Sequence, residues 1–278
     1  REAPGIQRDD SNRSTMTSQI DPDVIEIAKS LADTASEIGH KYFRLNPQIE
    51  KKIDGSPVTI ADLEIERALR QIIRERYPDH GFYGEEEGHD NSEAEWLWVV
   101  DPIDGTKSFA TGKRTYGCLI ALCFQDKPVL CIIDMPALNE RWLGVQGNAT
   151  EYNGTVCHTS LNKDLDMATL NATTPDMFNE AEWHTFSTVG SSVRFRQFGA
   201  DCYAYGLLAS GFTDIVMEAG LGRFDYLALV PVIEGAGGCI SDWQGAPLTF
   251  GSEGQALASA NEALHAEVLG RIQKLSTQ

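Results

Sequence analysis

Apolar positions change rhythm several times along the chain, and each rhythm predicts an element. Asp21 before Pro22 reads as a capped helix start, and Ile25, Ala28, Leu31, Ala32, Ala35 and Ile38 follow at helical spacing, so one face is core. A second helix is predicted from about Thr59 to Tyr77, with Ile65, Ala68, Leu69, Ile72 and Ile73 inward and Pro78 as its stop. Between the two, Lys51 to Pro57 suggests a short polar strand or hairpin. Phe82, Tyr83 and Gly84 form a brief apolar run ending in Glu85, Glu86 and Glu87, the last of which reads as solvated. After a polar loop over 89–95, the apolar residues Trp96 to Val100 read as a buried strand entering Asp101, with Pro102 expected to end its pairing.

An antiparallel meander is predicted next: Tyr116–Phe124, Val129–Asp134, Glu140–Val145 and a last hairpin turning at Asn153-Gly154, with Asp126, Lys127 and Pro128 supplying an earlier turn. Near His158–Lys163 the pattern becomes alternating. Strands are expected at Ala168–Ala172, Val193–Phe195, Phe212–Glu218, Cys239–Ser241 and Leu257–Ala260. Helices are expected at Pro175–Phe186, Cys202–Ser210, Asp225–Glu234 (bent or shortened by Pro231) and Glu262–Leu275. The fold class is therefore α+β with an α/β C-terminal half, in three sections: a polar leader over 1–15, an N-terminal half over 16–157 and a C-terminal half over 158–278. Met16 is the expected natural start, and residues 1–15 have no apolar signal-peptide core.

Composition changes this picture modestly. A length of 278 residues with 42% apolar and 23% charged residues fits one large domain or two tightly joined ones. A formal charge of -18 argues against nucleic acid as a partner and suits plain solubility. It also means that an anionic substrate would need metal ions to recruit it, or a cationic end of its own. No stretch is long enough to span a bilayer. Cys118, Cys123, Cys131, Cys157, Cys202 and Cys239 contain no C-x-x-C pair and read as free thiols of a reducing compartment, the cytoplasm or a plastid stroma. N-x-S/T triplets at Asn12, Asn148 and Asn171 carry no weight without secretion.

The chemistry concentrates after the Trp96–Val100 run. Asp101 and Asp104 lie three positions apart, and Asp104-Gly105-Thr106 suits a tight turn whose N–H groups share one centre. Two acids beside bare N–H groups would repel a lone anion, so a metal ion plus a phosphate is one filling. A strand end, a Pro/Asp turn and a helix cap would use the same residues. Glu85 and Asp225 also follow an apolar segment or open a helix, as site residues do in layered folds. Asp62 falls at a helix start, where the dipole alone favours an acid on an exposed turn. A calcium hand, an Asp-x-Asp-x-Thr nucleophile, a Walker loop and a G-x-S-x-G elbow are all absent, which leaves metal-assisted hydrolysis with water as nucleophile.

Four motifs occur in order: Asp54-Gly55-Ser56-Pro57-Val58-Thr59-Ile60-Ala61-Asp62, Gly84-Glu85-Glu86, Trp98-Val99-Val100-Asp101-Pro102-Ile103-Asp104-Gly105-Thr106, and Phe224-Asp225 followed by Glu234-Gly235-Ala236-Gly237-Gly238. From about Ile20 onward the chain resembles the inositol monophosphatase superfamily of Mg²⁺-dependent phosphomonoesterases. The resemblance implies a layered αβαβα sandwich and two to three Mg²⁺ ions per active site. Glu85, Asp101 and the carbonyl of Ile103 would bind one ion; Asp101, Asp104 and Asp225 a second; a third would sit near Glu85, linked through water to Asp62. Thr106, oriented by Asp62, would help deprotonate the attacking water, with Glu85 and Asp62 counted among the catalytic groups. The N–H groups of Gly105 and Thr106 would hold the phosphate. A homodimer is also implied.

Departures from the family pattern bear on the substrate. Phe224 stands where Trp is usual before the acid at 225, and Lys107 and Ser108 stand where inositol-directed members carry Thr and Asn. Asp201, within Phe198-Gly199-Ala200-Asp201-Cys202-Tyr203-Ala204-Tyr205, replaces a small residue and looks like the histidinol-phosphate phosphatase branch. Asp201 and Glu218 would then face the amine and imidazole of histidinol, alongside Asp104 and Asp225. Asp201 also suits a helix N-cap, and Glu218 a rim acid. The expected activity is hydrolysis of L-histidinol phosphate to histidinol and phosphate, as in histidine biosynthesis. The alternatives are an inositol-1-phosphate or broad sugar-phosphate phosphatase, then a nucleotide 3′-phosphatase. A catalytically silent binding relative is the reading from another class, and the intact acids speak against it.

Overall fold

The computed structural model describes residues 20–45, 49–51 and 57–276. The leader over 1–15 and Asp54, Gly55 and Ser56 of the first motif lie outside the described residues. In chain order the elements are α1 (Pro22–Tyr42), β1 (Ile49–Lys51), β2 (Pro57–Thr59), α2 (Ile60–Arg76), β3 (Gly81–Gly84), β4 (His89–Asp90), β5 (Trp96–Asp104) and α3 (Thr106–Ala110). Then come β6 (Gly117–Phe124), β7 (Lys127–Met135), β8 (Glu140–Val145), β9 (Glu151–Tyr152), β10 (Thr155–Val156), β11 (Thr169–Ala172), α4 (Glu180–Gly190) and β12 (Phe195–Phe198). The chain closes with α5 (Tyr203–Ala209), β13 (Ile215–Glu218), α6 (Arg223–Tyr226), α7 (Val230–Gly235), β14 (Cys239–Ser241), β15 (Ala256–Ser259) and α8 (Glu262–Ser276).

These form an αβαβα sandwich. An eight-stranded sheet runs β10-β9-β8-β7-β6-β5-β3-β4, and a five-stranded sheet runs β12-β11-β13-β15-β14. The apolar stripes of α1 and α2 (Ala28, Leu31, Ala32, Ile65, Leu69) cover one face of the larger sheet. Its other face meets α5, α7 and one face of the smaller sheet in a single core containing Val99, Leu119, Tyr205, Val216 and Ile233. Phe186 of α4 and Leu264 and Val268 of α8 seal the outer face of the smaller sheet. Asp21 caps α1 as expected, accepting from Asp23 N at 3.0 Å. All six cysteines are free, four of them buried. Among the described residues no helix is long and apolar enough to cross a membrane.

Several expected boundaries move, each for a local reason. β5 does not stop at Pro102; it continues to Asp104 through a register shift, opposing Leu119 at Asp101 and Gly117 at Asp104. Such an irregularity accommodates a residue without an N–H and re-aims the side chains beyond it. The helix expected over 175–186 is one 3-10 turn (Pro175–Met177) followed by α4, because Asn179 starts a fresh capping box with Glu182. The strand expected at 193–195 lies at 195–198, where β12 pairs in parallel with β11. The strand expected from Phe212 begins only at Ile215; Phe212 is exposed, and the Asp214 carboxylate takes Thr169 N at 2.8 Å. Pro231 does not bend one helix: it occupies the first turn of α7, where its missing N–H is unneeded, and α6 is separate. The β6–β7 turn is made by Gln125 and Asp126, both at positive φ, so Lys127 and Pro128 already belong to β7.

Candidate active site

The site gathers at the ends of β3 and β5. The two strands are parallel with Gly84 opposite Val100, so Glu85, just past the end of β3, follows alongside Asp101, which is still in β5. Gly105 then turns the chain at φ 79°, a conformation that favours glycine, and α3 starts at Thr106. The Thr106 hydroxyl donates to Ile103 O at 3.2 Å. From the C-terminal half, Asp225 lies in the first turn of α6 and folds back to accept from Gly222 N at 2.7 Å. Asp101, Asp104 and Asp225 thereby offer carboxylate oxygens all within 4.8 Å of one another.

The acids of this cluster are buried together and repel one another. Burial pushes the Asp101 carboxyl well above the usual range, and the charges of Glu85, Asp225 and Asp104 push it further. Asp104 is raised well above its ordinary value by burial and by Asp201 and Asp225. Asp225 is pushed up to about 7 by burial and then by Glu85. Asp101 Oδ1 is buried with no hydrogen-bond partner among the described residues. An all-oxygen set with an orphaned buried carboxylate oxygen is the donor chemistry that a hard divalent cation such as Mg²⁺ requires.

Asp62 is not on an exposed turn. It is fully buried as the N3 residue of a capping box, its Oδ2 accepting from Thr59 N at 2.8 Å and Thr59 Oγ1 at 2.5 Å. Its pKa is raised to about 6, chiefly by burial, and Oδ1 has no partner among the described residues. The Thr106 hydroxyl is oriented here by Ile103 rather than by Asp62, although α3 packs against β2, which ends at Thr59. Glu87 is exposed as expected and pairs with Arg67.

Beside the cluster lies a cavity of about 80 Å³ lined by Asp104, Asp201, Tyr205, Glu218 and Asp225 among others. Asp201 is not a side-chain N-cap: Cys202 occupies the cap position of α5, and Asp201, at φ 49°, accepts from Ser108 Oγ at 2.6 Å. Nor is Glu218 a rim acid. It is 2% exposed and accepts from Thr173 N at 2.6 Å and Tyr205 OH at 2.9 Å. Cys202 N donates to Asp104 at 2.6 Å and so ties α5 to the cluster. Ser108 and Tyr205 stood in the quoted stretches without a role and Thr173 was not singled out, because their contacts cross between separate segments. A larger cleft of about 460 Å³ lies by Asp134, but that acid already has Arg141 and Ser36 as partners.

The model of the inositol monophosphatase family matches residues 21–277. The chain belongs to the inositol monophosphatase family. A solved inositol monophosphatase from Zymomonas mobilis superposes with a TM-score of 0.84 at 41% identity, covering 90% of this chain and 98% of that one. The chain is 48% identical over 236 residues to a bifunctional phosphatase of Arabidopsis thaliana named IMPL2, chloroplastic, covering 84% of this chain and 68% of that protein. It is 32% identical over 256 residues to a histidinol-phosphatase of Chlorobaculum parvum, covering 89% and 96%. This member of the family is accordingly a phosphatase, with its acidic cluster at the junction of its two sheets.

Proposed function

We propose that the protein is a Mg²⁺-dependent phosphomonoesterase acting on L-histidinol phosphate. The observation that carries the substrate is the pair of acids beyond the metal cluster: Asp201 and Glu218 line the same cavity as Asp104 and Asp225. A phosphate ester with a neutral polyol tail leaves the buried Glu218 with hydrogen bonds but no cation beside it among the described residues, and the half-buried Asp201 with only the charges of Lys113 and Lys107, whereas a cationic tail pairs with both acids. Likeness to proteins named histidinol-phosphatase supports this reading.

Asp101, Asp104 and Asp225, with Glu85 and the Ile103 carbonyl, are the residues assigned to Mg²⁺. Bound there, Mg²⁺ lowers the pKa of water and polarises a phosphoryl oxygen. The backbone N–H groups of Gly105 and Thr106 are assigned to the phosphate. Thr106 Oγ1 donates to Ile103 O and is left free to accept a hydrogen bond from the attacking water, which orients that water without taking its proton. Asp62 Oδ1, buried and without a hydrogen-bond partner among the described residues, belongs to the carboxylate assigned to take that proton. Ser108 holds Asp201, and Tyr205 and Thr173 hold Glu218, so both acids are preset before substrate arrives. A reducing compartment, the cytoplasm or a plastid stroma, suits the free thiols.

The 41% identical inositol monophosphatase favours a second reading, hydrolysis of inositol 1-phosphate. Phosphate release from the two esters, assayed side by side with and without Mg²⁺, separates them, and preference for the inositol ester would overturn the substrate assignment. Asp201→Ala is expected to raise KM for histidinol phosphate by about tenfold, the scale of one lost charge-assisted contact. An aryl phosphate should be unaffected, and equal effects on both substrates would count against the pairing.

A further inference from the structure

Glu66 is fully buried one turn beyond Asp62 on α2, on a face otherwise occupied by Ile65, Leu69 and Ile73. Its carboxylate lies under the loop that follows β3: Oε2 accepts from Glu86 N at 2.7 Å and Oε1 from Glu87 N at 2.9 Å. Two successive N–H groups converging on one anion form a nest, filled here by a side chain of the same chain. Arg70 completes the arrangement, donating to Glu66 Oε1 at 2.6 Å, to Gly88 O at 2.9 Å and to Asp90 Oδ2 at 2.8 Å. Its guanidinium also lies 4.4 Å above the Phe82 ring. Gly84 N closes the loop on Gly88 O at 3.0 Å. A Cβ at Gly84 would lie 2.2 Å from Glu66 Cδ, so that glycine is the space in which the carboxylate sits.

We infer that Glu66 is a positioning residue for the metal site. Glu85 stands between Gly84, which packs on Glu66, and Glu86, whose N–H is bound by it. The backbone carrying Glu85 is therefore clamped on both sides, and the clamp aims Glu85 toward Asp101. Arg70 neutralises Glu66 within the buried setting, so the clamp adds no charge of its own to the acidic cluster. The inference rests on the assignment of Mg²⁺ to Glu85 and Asp101, and its test is a binding measurement on metal-stripped protein.

Mg²⁺ affinity by titration calorimetry, and Tm in EDTA, are compared for the wild type, Glu66→Gln and Arg70→Lys. Glu66→Gln sets an amide NH₂ against one loop N–H and is expected to weaken Mg²⁺ binding by about 10- to 100-fold. Activity should return at saturating Mg²⁺. Arg70→Lys, which keeps the charge but loses the fork, should weaken binding severalfold, and it carries the test alone if Glu66→Gln does not fold. A lowered Tm in EDTA with Mg²⁺ affinity within twofold of wild type would make Glu66 a structural strut only and overturn the inference. Failure of the wild type to bind Mg²⁺ would overturn the metal assignment and this inference with it, a distinct outcome.

Discussion

Asp101 and Asp134 belong to the same sheet, on β5 and β7, and are 2% and 4% exposed. Asp101 opposes Leu119, on the face toward the smaller sheet, while Asp134 opposes Cys118, on the face covered by α1. Asp134 is complete: Arg141 Nε donates to it at 2.6 Å and Ser36 Oγ at 3.0 Å, and Arg141 reaches Asp33 as well. Asp101 is surrounded by further acids, and one of its oxygens has no partner among the described residues. Two buried carboxylates two strands apart in one sheet thus carry opposite meanings. What marks a candidate metal site is not a buried acid but a buried acid whose neighbours repeat its charge instead of cancelling it.

The comparison can be broken at either acid. Asp101→Asn should abolish turnover, with kcat falling by more than about a thousandfold, the scale of losing one preset electrostatic group. Circular dichroism should be unchanged, because removing a repelled charge relieves the metal-free fold. Near-normal turnover would sink the metal assignment. Arg141→Met should do the reverse: stranding Asp134 costs about 3 to 5 kcal/mol of stability, read by chemical denaturation. Mg²⁺ affinity should stay at the wild-type value, and a matching loss there would mean that the two acids are not independent.

The smallest effect sharpens the contrast through pH. In metal-free protein Asp225 holds its proton up to about pH 7, against an ordinary value of 3.8, because of burial and the nearby Glu85 charge. The folded state then binds more protons than the unfolded chain between those values, so stability falls as pH rises through that window. Tm in EDTA should drop by a few degrees from pH 4 to pH 7.5, and Mg²⁺ should raise it more at pH 7.5 than at pH 4. A Tm that climbs with pH in EDTA would contradict the reading of the cluster as self-repelling.

Much of the fold was legible because its cues are local. The stripe of α1, the Asp21-Pro22 start, the apolar strands of the meander and the Asn153-Gly154 turn each depend on residues within a few positions of one another. Boundaries failed where a single side chain redirected the chain, as Asn179 does by restarting a helix, or where pairing set the length, as β11 does for β12. Pro102 misled for a related reason: a proline argues against a ladder bond, and a register shift in the strand removes the need for one. Glu66 did carry a signal, an acid four positions after Asp62 on an otherwise apolar helix face, but the spacing could not say which backbone it would meet.

By itself the sequence picked out the residues on which the proposed chemistry rests. Asp101, Asp104, Gly105 and Thr106 are contiguous, and their spacing alone places two acids and a turn together. Tertiary structure decided how they are completed. Gly84 opposite Val100 brings Glu85 to Asp101, α6 brings Asp225, Ser108 turns Asp201 from a cap into a cavity wall, and Tyr205 with Thr173 makes Glu218 an interior acid. The reason is that a carboxylate's role depends on the charge and solvent around it. Those neighbours arrive from segments up to about 140 residues away in the chain, as Glu85 is from Asp225, through sheet register and helix docking that no local pattern encodes.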